Sequence, residues 1–350
     1  MITRTVEEQS VIDRLQDGLF GDFSIVGLRP PSQDLLGSRI CITGAAGSIG
    51  GALARRLVRA GAGRLSLIDS NAGGLEHLSA ALVGMTPSRI DIDCYPVDIC
   101  DVRGLSSVFG NARPEVVVHA AAIKHLPDVE LDPARALGTN VGGTINVANA
   151  CKASDVPTTL HVSTDKASVP TSVLGASKLL AERVCASVVG TCGAPGAVAT
   201  SVRFCNVLAS AGSVVDAFLE QRRRGGLMRL SNPEALRRFV TLQQAADLVI
   251  DGLERRLNQR TLAFSGGLEL TVGELAARFR DVAGTSCPID VIGLSPGEKL
   301  REDLVAPSER IHDVIEGLYS VVITPLIDVD RAAALADEGD LVALWDMLAL

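Results

Sequence analysis

The sequence predicts an α/β protein built on a doubly wound parallel sheet, with a smaller C-terminal lobe. Apolar, β-branched strand patterns alternate with helical patterns from Arg39 to about residue 212. Strands of this kind belong to a parallel sheet that helices cover on both faces. A chain of 350 residues with 47% hydrophobic content is long enough for one large core and an added lobe.

The individual elements support this fold class in chain order. The first strand pattern ends in glycines, and a helix with an apolar stripe follows it. The predicted elements are "RICIT", helix Ser48–Ala60, "RLSLID", helix Gly74–Val83, "IDIDCYPVD", helix Val102–Phe109, "EVVVHAAA", a long helix Pro133–Ser154, "TTLHVST", helix Val173–Val189 and "AVATSVRFCNVL".

Three regions follow from these patterns. Residues 1–36 are expected to form an N-terminal arm, in which an amphipathic helix (Val6–Leu19) precedes a Pro-Pro pair that breaks any helix. Residues 37–212 form the sheet domain, and residues 213–350 form the smaller lobe. A strand-like stretch near 261–266 is expected to return to the edge of the sheet.

Composition excludes several classes of partner. The formal charge of −8 and pI near 5.2 argue against nucleic acid or an anionic membrane surface, because both reward a basic face. Eight cysteines lie apart, without metal-ligand spacing, so we expect no metal and a reduced cytoplasmic location. No apolar run approaches the roughly 18 residues of a membrane-spanning helix.

The stretch "TGAAGSIG" predicts a dinucleotide site in a Rossmann-type domain. Gly44, Gly47 and Gly50 stand between a predicted strand and a predicted helix. Glycines there let the backbone approach a pyrophosphate, which sits at the helix N-terminus beside Ser48 and Ile49. The alternative is that these glycines only make a tight strand-to-helix turn.

Asp69 ends the next predicted strand, where its carboxylate can accept hydrogen bonds from the adenosine ribose. The alternative is that Asp69 caps the following helix. Its charge disfavours a 2′-phosphate, and no arginine stands beside it in "DSNAGG", so we expect NAD rather than NADP. Asp98 and Ile99 are predicted to flank the adenine.

Lysine is rare in this chain. Only five of the 33 basic residues are lysines, so those five are candidates for tasks that arginine cannot perform, above all losing a proton. They are Lys124, Lys152, Lys166, Lys178 and Lys299.

Six ordered blocks make the chain resemble a known family. They resemble the extended short-chain dehydrogenases that act as UDP-N-acetylglucosamine 4,6-dehydratases in polysaccharide biosynthesis. The resemblance implies that bound NAD takes hydride from C4, that water is lost across C5 and C6, and that the hydride returns to C6. The blocks are "TGAAGSIG", "HAAAIKHLPDVE", "TNVGGT", "STDKASVPTSVLGASK", "VRFCNVLASAGSV" and "SPGEKLREDL".

The resemblance assigns the proton chemistry to Thr164, Asp165 and Lys166. Asp165 is implied as the acid at C6 and Lys166 as the base at C5, which requires a protonated carboxyl and a neutral amine in a desolvated site. The alternative is a surface Asp-Lys dipeptide in a loop. Lys178 resembles the lysine that binds the nicotinamide ribose.

Leu174 departs from the family pattern. The family carries tyrosine or methionine four residues before the helical lysine, and leucine cannot ionise. The C4 hydroxyl proton is therefore expected to pass through Thr164, Asp165 or water. The departure also leaves open a changed reaction or a lost activity.

The resemblance implies further contacts along the site. Ala120 and Ala121 would let the backbone pass the cofactor, and Lys124 would lie at the active-site edge, next to His125, which reads more readily as a structural histidine. Cys205 stands where the family has glycine, and its larger side chain leaves the precise substrate open. The remaining positions implied for a UDP-sugar are Asn206, Arg237, Glu298 and Lys299.

Two other readings stay open, and an assembly is expected. One is a nucleotide-sugar epimerase, 5,6-dehydratase or C4 oxidoreductase on the same scaffold, and the other is a noncatalytic dinucleotide-binding protein. Enzymes of the resembled kind associate through the long helices near 133–154 and 173–189, so we expect a homo-oligomer.

Overall fold

The computed structural model describes residues 4–21, 25, 27–85, 90–315, 318–322 and 326–348. The strands are β1 Arg39–Thr43, β2 Arg64–Ile68, β3 Asp91–Tyr95, β4 Val116–His119, β5 Thr158–Thr164, β6 Val198–Phe204, β7 Asn206–Val207, β8 Met228–Leu230, β9 Leu236–Val240, β10 Arg260–Phe264, β11 Leu268–Thr271, β12 Ile289–Val291, β13 Ile311–Ile315 and β14 Leu318–Val322.

The helices surround this framework. They are α1 Val6–Phe20, α2 Gln33–Gly37, α3 Ser48–Ala60, α4 Ala72–Val83, α5 Val102–Ala112, α6 Leu126–Leu131, α7 Pro133–Leu137, α8 Gly143–Ala153, α9 Val173–Cys192, α10 Val214–Arg223, α11 Leu242–Arg255, α12 Val272–Ala283, α13 Val329–Glu338 and α14 Leu341–Leu348.

The main sheet confirms the predicted fold class. Its strands lie in the order β13-β14-β10-β6-β5-β4-β1-β2-β3, and the seven from β10 to β3 pair in parallel. β14 and β13 extend the edge in antiparallel pairing. β10 is the strand expected near 261–266, and it pairs with β6. The carboxyl ends of the parallel strands therefore share one edge, where ligands of such sheets bind.

The long helix predicted over Pro133–Ser154 is confirmed as a continuous helical run from residue 133 to 153, and it contains a π-helical turn. The run consists of α7, the π-helical turn at Gly138–Gly142 and α8. Asn140 in this turn accepts from the Ile123 N–H at 2.8 Å and donates to the Ile123 carbonyl at 3.0 Å. The turn thus holds the loop after β4 in place, which is a use that π-helical turns often have near functional sites.

Helix α9 has no free side in a single chain. Every residue from Val173 to Val189 is buried, because α13 and α14 cover the face of α9 that the sheet and α8 leave open. The Arg183 side chain also donates to the Leu348 carbonyl of α14. The chain's own C-terminal helices therefore occupy the surface of α9 over Val173–Val189, and the association of copies into a homo-oligomer stays a prediction.

The smaller lobe has its own apolar cluster, and α1 belongs to it. Val11 and Leu15 of α1 are buried together with Phe218 of α10 and Phe279 of α12. The N-terminal stretch is thus packed into the lobe rather than standing apart as an arm. In the same way, residues after 212 contribute to both packing units, since α11, β10, α13 and α14 lie against the main sheet domain.

None of the helices in the described part of the chain is both long enough and apolar enough to cross a bilayer.

Candidate functional site

The dinucleotide loop is built around a close backbone contact. Gly44 has φ +69°, and a Cβ on it would lie 2.6 Å from the Ala121 backbone nitrogen. Ala120 N donates to the Thr43 carbonyl at 3.1 Å, which joins the ends of β1 and β4. A Cβ on Gly50 would lie 2.3 Å from the Gly44 carbonyl oxygen. These positions need glycine for close approach, and the loop has the shape of a cradle for a pyrophosphate.

Asp69 holds the loop rather than the helix after it. Its two carboxylate oxygens accept from Ala46 N at 3.0 Å and from Asn71 N at 2.9 Å. The cap of α4 is Asn71, which accepts from Gly74 N at 2.9 Å. The reading of Asp69 as the helix cap is therefore wrong, and its carboxylate lies beside the loop where a ribose would bind.

A cavity of about 1140 Å³ opens over this loop. Ala45, Gly47, Ser48 and Asp69 line it, together with one face of α1. Arg55 and Arg59 of α3 line it as well. No arginine stands beside Asp69 in the sequence, but the fold brings these two arginines to the cavity that Asp69 lines.

The loop after β3 lies deeper than predicted. Ile99 is buried against Gly143, whose Cβ would lie 2.5 Å from the Ile99 side chain. The Ile99 carbonyl accepts a hydrogen bond from the Asn146 side chain at 3.1 Å. Asp98 is exposed and accepts from Cys100 N at 2.9 Å. Ile99 thus packs in the core, and Asp98 is the one of the two with a free approach to a ligand.

Asp165 and Lys166 follow β5 directly and face each other. The Asp165 side chain is 4% exposed, and its Oδ1 lies 3.2 Å from Lys166 Nζ. The Thr164 hydroxyl donates to the same oxygen at 2.9 Å. The reading of a solvated surface dipeptide is wrong, because the two side chains form a largely buried, hydrogen-bonded unit with Thr164.

Lys166 is held as an ammonium in this structure. Its Nζ also lies 3.3 Å from Glu302 Oε1. Burial works to lower the pKa of the Lys166 amine, but the charges of Asp165 and Glu302 outweigh it, and the pKa lies above its ordinary value. The neutral amine expected for a base at C5 is therefore not the resting form.

Lys178 is buried among polar partners. Its Nζ donates to the Val162 carbonyl at 2.8 Å and lies 2.8 Å from His161 Nε2. Burial lowers the pKa of Lys178 to about 8, and Glu182 opposes this shift. The pKa of His161 lies well below its ordinary value, again chiefly because of burial. A neutral imidazole therefore accepts the hydrogen bond from the lysine.

Leu174 lies in the apolar cluster below the site, where its side chain is 4% exposed. It offers no ionisable group, and Glu130 accepts from the neighbouring Val173 N at 2.9 Å. Gly175 lets the start of α9 approach the Lys166 main chain, since a Cβ there would lie 2.4 Å from the Lys166 carbonyl oxygen. The helix is thus positioned closely under the Asp165–Lys166 pair.

Lys124 and His125 lie in the loop between β4 and α6. Burial lowers the pKa of Lys124, against the pull of Asp216, and its Nζ lies 3.4 Å from the Ser210 hydroxyl. The His125 ring packs on Gly212, whose Cβ would lie 1.8 Å from the ring. His125 therefore has a clear packing role, while its ring also borders the cavity.

Arg237 does not present its guanidinium to the cleft. It donates to Glu298 at 3.2 Å and to the carbonyls of Leu236, Lys299 and Leu300 at 2.7 to 3.1 Å. The loop after β12 thus takes up both terminal nitrogens of Arg237, and the contact with a UDP-sugar that the resemblance implies for this residue stays a prediction.

The other positions expected to bind the sugar nucleotide are mostly engaged as well. Glu298 accepts from Ser231 at 2.8 Å in addition to Arg237. Lys299 pairs with Glu302 at 3.3 Å, and Asn206 donates to the Arg238 carbonyl at 3.3 Å.

Two residues of the site escaped the sequence prediction. Glu302 lies in the "SPGEKLREDL" block, where no sequence signal separates it from its neighbours, and it contacts both Lys166 and Lys299. His161 belongs to β5, the strand that leads to Asp165. A histidine within this buried strand is the local sequence feature that indicates a role in the site. Across the residues that the structure describes, no group of three or more candidate ligands could hold a metal ion.

Comparisons with known proteins identify the family to which this chain is similar. A family model described as polysaccharide biosynthesis protein matches residues 40–322. The capsular polysaccharide biosynthesis protein CapD of Staphylococcus aureus is 32% identical over 293 residues, which make up 82% of this chain and 48% of that protein. The chain thus spans about half the length of CapD.

Two further similarities concern named enzymes. The UDP-glucose 4-epimerase of Rickettsia akari is 32% identical over 225 residues, 64% of this chain and 66% of that protein. The crystal structure of DesIV, a dTDP-glucose 4,6-dehydratase from Streptomyces venezuelae with NAD and TYD bound, is similar with a TM-score of 0.66 at 25% identity. That match covers 76% of this chain and 87% of the DesIV chain.

Proposed function

The chain belongs to the polysaccharide biosynthesis protein family, and we propose that within it this protein is a nucleotide-sugar 4,6-dehydratase that uses NAD. The proposed substrate is UDP-N-acetylglucosamine or a related UDP-sugar. The observation that carries the proposal is the Asp165–Lys166 pair at the carboxyl end of β5, buried and hydrogen-bonded to Thr164.

This pair can supply both groups that a dehydration needs. Loss of water across C5 and C6 requires a base for the C5 proton and an acid for the leaving C6 hydroxyl. Moving one proton from Lys166 Nζ to Asp165 Oδ1, across their 3.2 Å contact, turns the resting ion pair into a neutral amine and a carboxylic acid. The net charge does not change, and exclusion of water by a bound substrate favours the neutral form.

The cofactor would lie along the Gly44 loop, with Asp69 beside the ribose and Lys178 under the nicotinamide end. When bound, it supplies the acceptor and donor of hydride for C4 and C6. The glycine cradle at Gly44 and Gly50 fits such a group, because side chains there would fill the approach. Hydrogen bonds from Lys178 to the Val162 carbonyl and to His161 fix the lysine side chain against β5.

The C4 hydroxyl proton needs a route that does not involve residue 174. Because Asp165 has taken up the Lys166 proton, the C4 proton can pass through the Thr164 hydroxyl, which contacts Asp165, to water, and water returns a proton to Lys166 at the end of the cycle. Thr164→Val should therefore reduce turnover far more than it changes substrate affinity.

The direct test is the product. Purified protein incubated with UDP-N-acetylglucosamine should release a sugar nucleotide lighter by one water, without net formation of NADH. Lys166→Met and Asp165→Asn should each abolish it, whereas Lys152→Met, which removes an exposed lysine, should not. Unchanged sugar across a panel of UDP and dTDP sugars would overturn the proposal.

An epimerase is the second candidate, favoured by the similarity to the Rickettsia enzyme. Mass and isotope separate the two activities. An epimer keeps the mass of its substrate, whereas a 4,6-dehydratase is expected to exchange the C5 hydrogen with deuterium from the solvent. A mass-neutral product with altered C4 configuration would transfer the assignment to the epimerase.

A further inference from the structure

Glu302 lies where two lysines of the site meet. Its Oε1 is 3.3 Å from Lys166 Nζ and its Oε2 is 3.3 Å from Lys299 Nζ. The side chain is 8% exposed. Neither Oε2 nor the Lys299 amine has an aligned hydrogen-bond partner among the described residues. This carboxylate is therefore buried, charged and only partly engaged.

The loop that carries Glu302 is docked on the active-site loop. The Ser168 hydroxyl donates to the Asp303 carbonyl, and the Thr171 hydroxyl donates to the Gly297 carbonyl at 2.9 Å. A Cβ on Gly297 would lie 2.7 Å from the Ser172 side chain, so the two loops touch closely. Glu302 thus reaches Lys166 from a firmly seated loop, opposite Asp165.

The four charges form an alternating row: Asp165, Lys166, Glu302 and Lys299. The row is neutral as it stands, with two positive and two negative charges joined by three ion-pair contacts. If the proton on Lys166 moves to Asp165, those two groups become neutral, and Glu302 with Lys299 remains a complete ion pair. Both states of the reaction pair are therefore electrically balanced, which a row lacking Glu302 or Lys299 would not achieve.

We propose that Glu302 is a positioning residue for the Asp165–Lys166 pair: it holds Lys166 charged in the resting site and releases it for proton transfer by turning to Lys299 alone. Lys166 is also faced by Arg237, whose charge acts against its protonation, and by the Cys205 thiol. Of these groups, Asp165 and Glu302 are the two carboxylates in direct contact with the amine. The catalytic consequence rests on the proposed function, whereas the charge state of Lys166 does not.

The charge state can be measured without any reaction of the sugar. Intact protein is labelled with acetic anhydride over a pH series, and the acetylated fraction of Lys166 is read by mass spectrometry, with exposed Lys152 as the internal standard. Because only the neutral amine reacts, the labelling midpoint reports its protonation. Glu302→Gln should lower the Lys166 midpoint by about one pH unit or more, which is roughly tenfold more labelling below the midpoint.

Two matched variants decide what the shift means. Thr171→Val removes a loop contact without removing a charge, so its midpoint should stay at the wild-type value. Lys299→Met leaves Glu302 with Lys166 as its sole amine partner, so its midpoint should rise. Equal midpoints in wild type and Glu302→Gln, an equal shift in Thr171→Val, or a fall in Lys299→Met would each overturn the proposal. If Glu302→Gln does not fold, the direction in which Lys299→Met moves the Lys166 labelling midpoint still tests the proposal.

Turnover supplies the second arm. In a working dehydratase, Glu302→Gln should move the ascending limb of the kcat–pH profile to lower pH while KM changes little. Glu302→Asp should bring the ascending limb part of the way back to its wild-type position. A protein that dehydrates no sugar would overturn the proposed function, while the labelling result on Lys166 would still decide the role of Glu302.

Discussion

The Lys178 amine lies 2.8 Å from His161 Nε2 in the buried interior beneath the end of β5. Lys178 is 7% exposed and His161 is fully buried. A lysine in such a place normally pairs with a carboxylate, yet here the direct partners are a neutral imidazole and the Val162 carbonyl. The pair therefore stabilises the ammonium only weakly, which has measurable consequences for stability.

Stability should rise with pH above neutrality because of Lys178. Its pKa is about 8 in the folded protein and has its ordinary value of 10.5 in the unfolded chain. Below about pH 8 both states hold the proton, and the burial cost is fully present. Between the two values the unfolded chain binds more protons, so the free energy of unfolding increases, by at most about 3 kcal/mol. Urea unfolding across this range should show the rise in wild type and lose that part in Lys178→Met.

His161→Leu should lower both stability and the pKa of Lys178. Removing the acceptor leaves a buried donor with one partner fewer, which costs about 1 to 3 kcal/mol at neutral pH. The stability rise should then begin at a lower pH than in wild type. His77→Leu, on the exposed face of α4, is the control. A His161→Leu protein with wild-type stability at every pH would show that the contact has no energetic role.

Gly44→Ala should abolish NAD binding and destabilise the fold. The new Cβ would lie 2.6 Å from Ala121 N, in addition to the strain at φ +69°. Gly284→Ala at the end of α12 is matched for strain, with φ +59°, but meets open space. It should cost about 1 to 3 kcal/mol and leave NADH fluorescence titrations unchanged. Equal losses of binding in both variants would contradict a special role for the Gly44 contact.

Arg203→Met should be strongly destabilising. Its guanidinium is buried and donates at 2.7 Å to both oxygens of Glu182, and at 2.6 to 2.8 Å to Glu309. Removing it leaves two carboxylates without their cation, at about 3 to 5 kcal/mol. Arg224→Met removes an exposed partner of Glu220 and should cost less than about 1 kcal/mol. Guanidinium unfolding of the two variants makes the comparison, and similar losses would contradict the prediction.

Leu344→Asp should separate the C-terminal helices from α9. Leu344 is 0% exposed in the apolar cluster that α14 shares with α9, whereas Val342 on the same helix is 72% exposed. The buried aspartate should lower the thermal midpoint markedly and expose apolar surface that binds a hydrophobic dye. Val342→Asp should do neither. If both variants behave alike, α14 contributes little to covering α9.

The sequence was sufficient where a local pattern has one structural solution. β1 and α3 lie where "RICIT" and the helical stripe predicted them, with bounds Arg39–Thr43 and Ser48–Ala60. The glycine spacing predicted the tight loop between β1 and α3, since the close backbone approach there leaves no room for a side chain. Asp165 and Lys166 were located by their position at a strand end.

What failed depended on contacts far apart in the chain. Lys166 and Glu302 are separated by 136 positions in the sequence. Arg237 is separated by 62 and 63 positions from Lys299 and Leu300, whose carbonyls it contacts. No spacing rule shows that a lysine will contact a second carboxylate, or that an arginine will donate its hydrogen bonds to backbone carbonyls. The charge of Lys166 and the engagement of Arg237 therefore needed the folded chain.

The enclosure of α9 by α13 and α14 bears on how the proposed catalytic centre could be shared between molecules. Because this helix has no uncovered side, a neighbouring molecule cannot reach Lys178 or the underside of the Asp165–Lys166 pair through it. The proton-handling groups should thus be complete in each individual subunit, and specific turnover should not fall on dilution to the monomeric state.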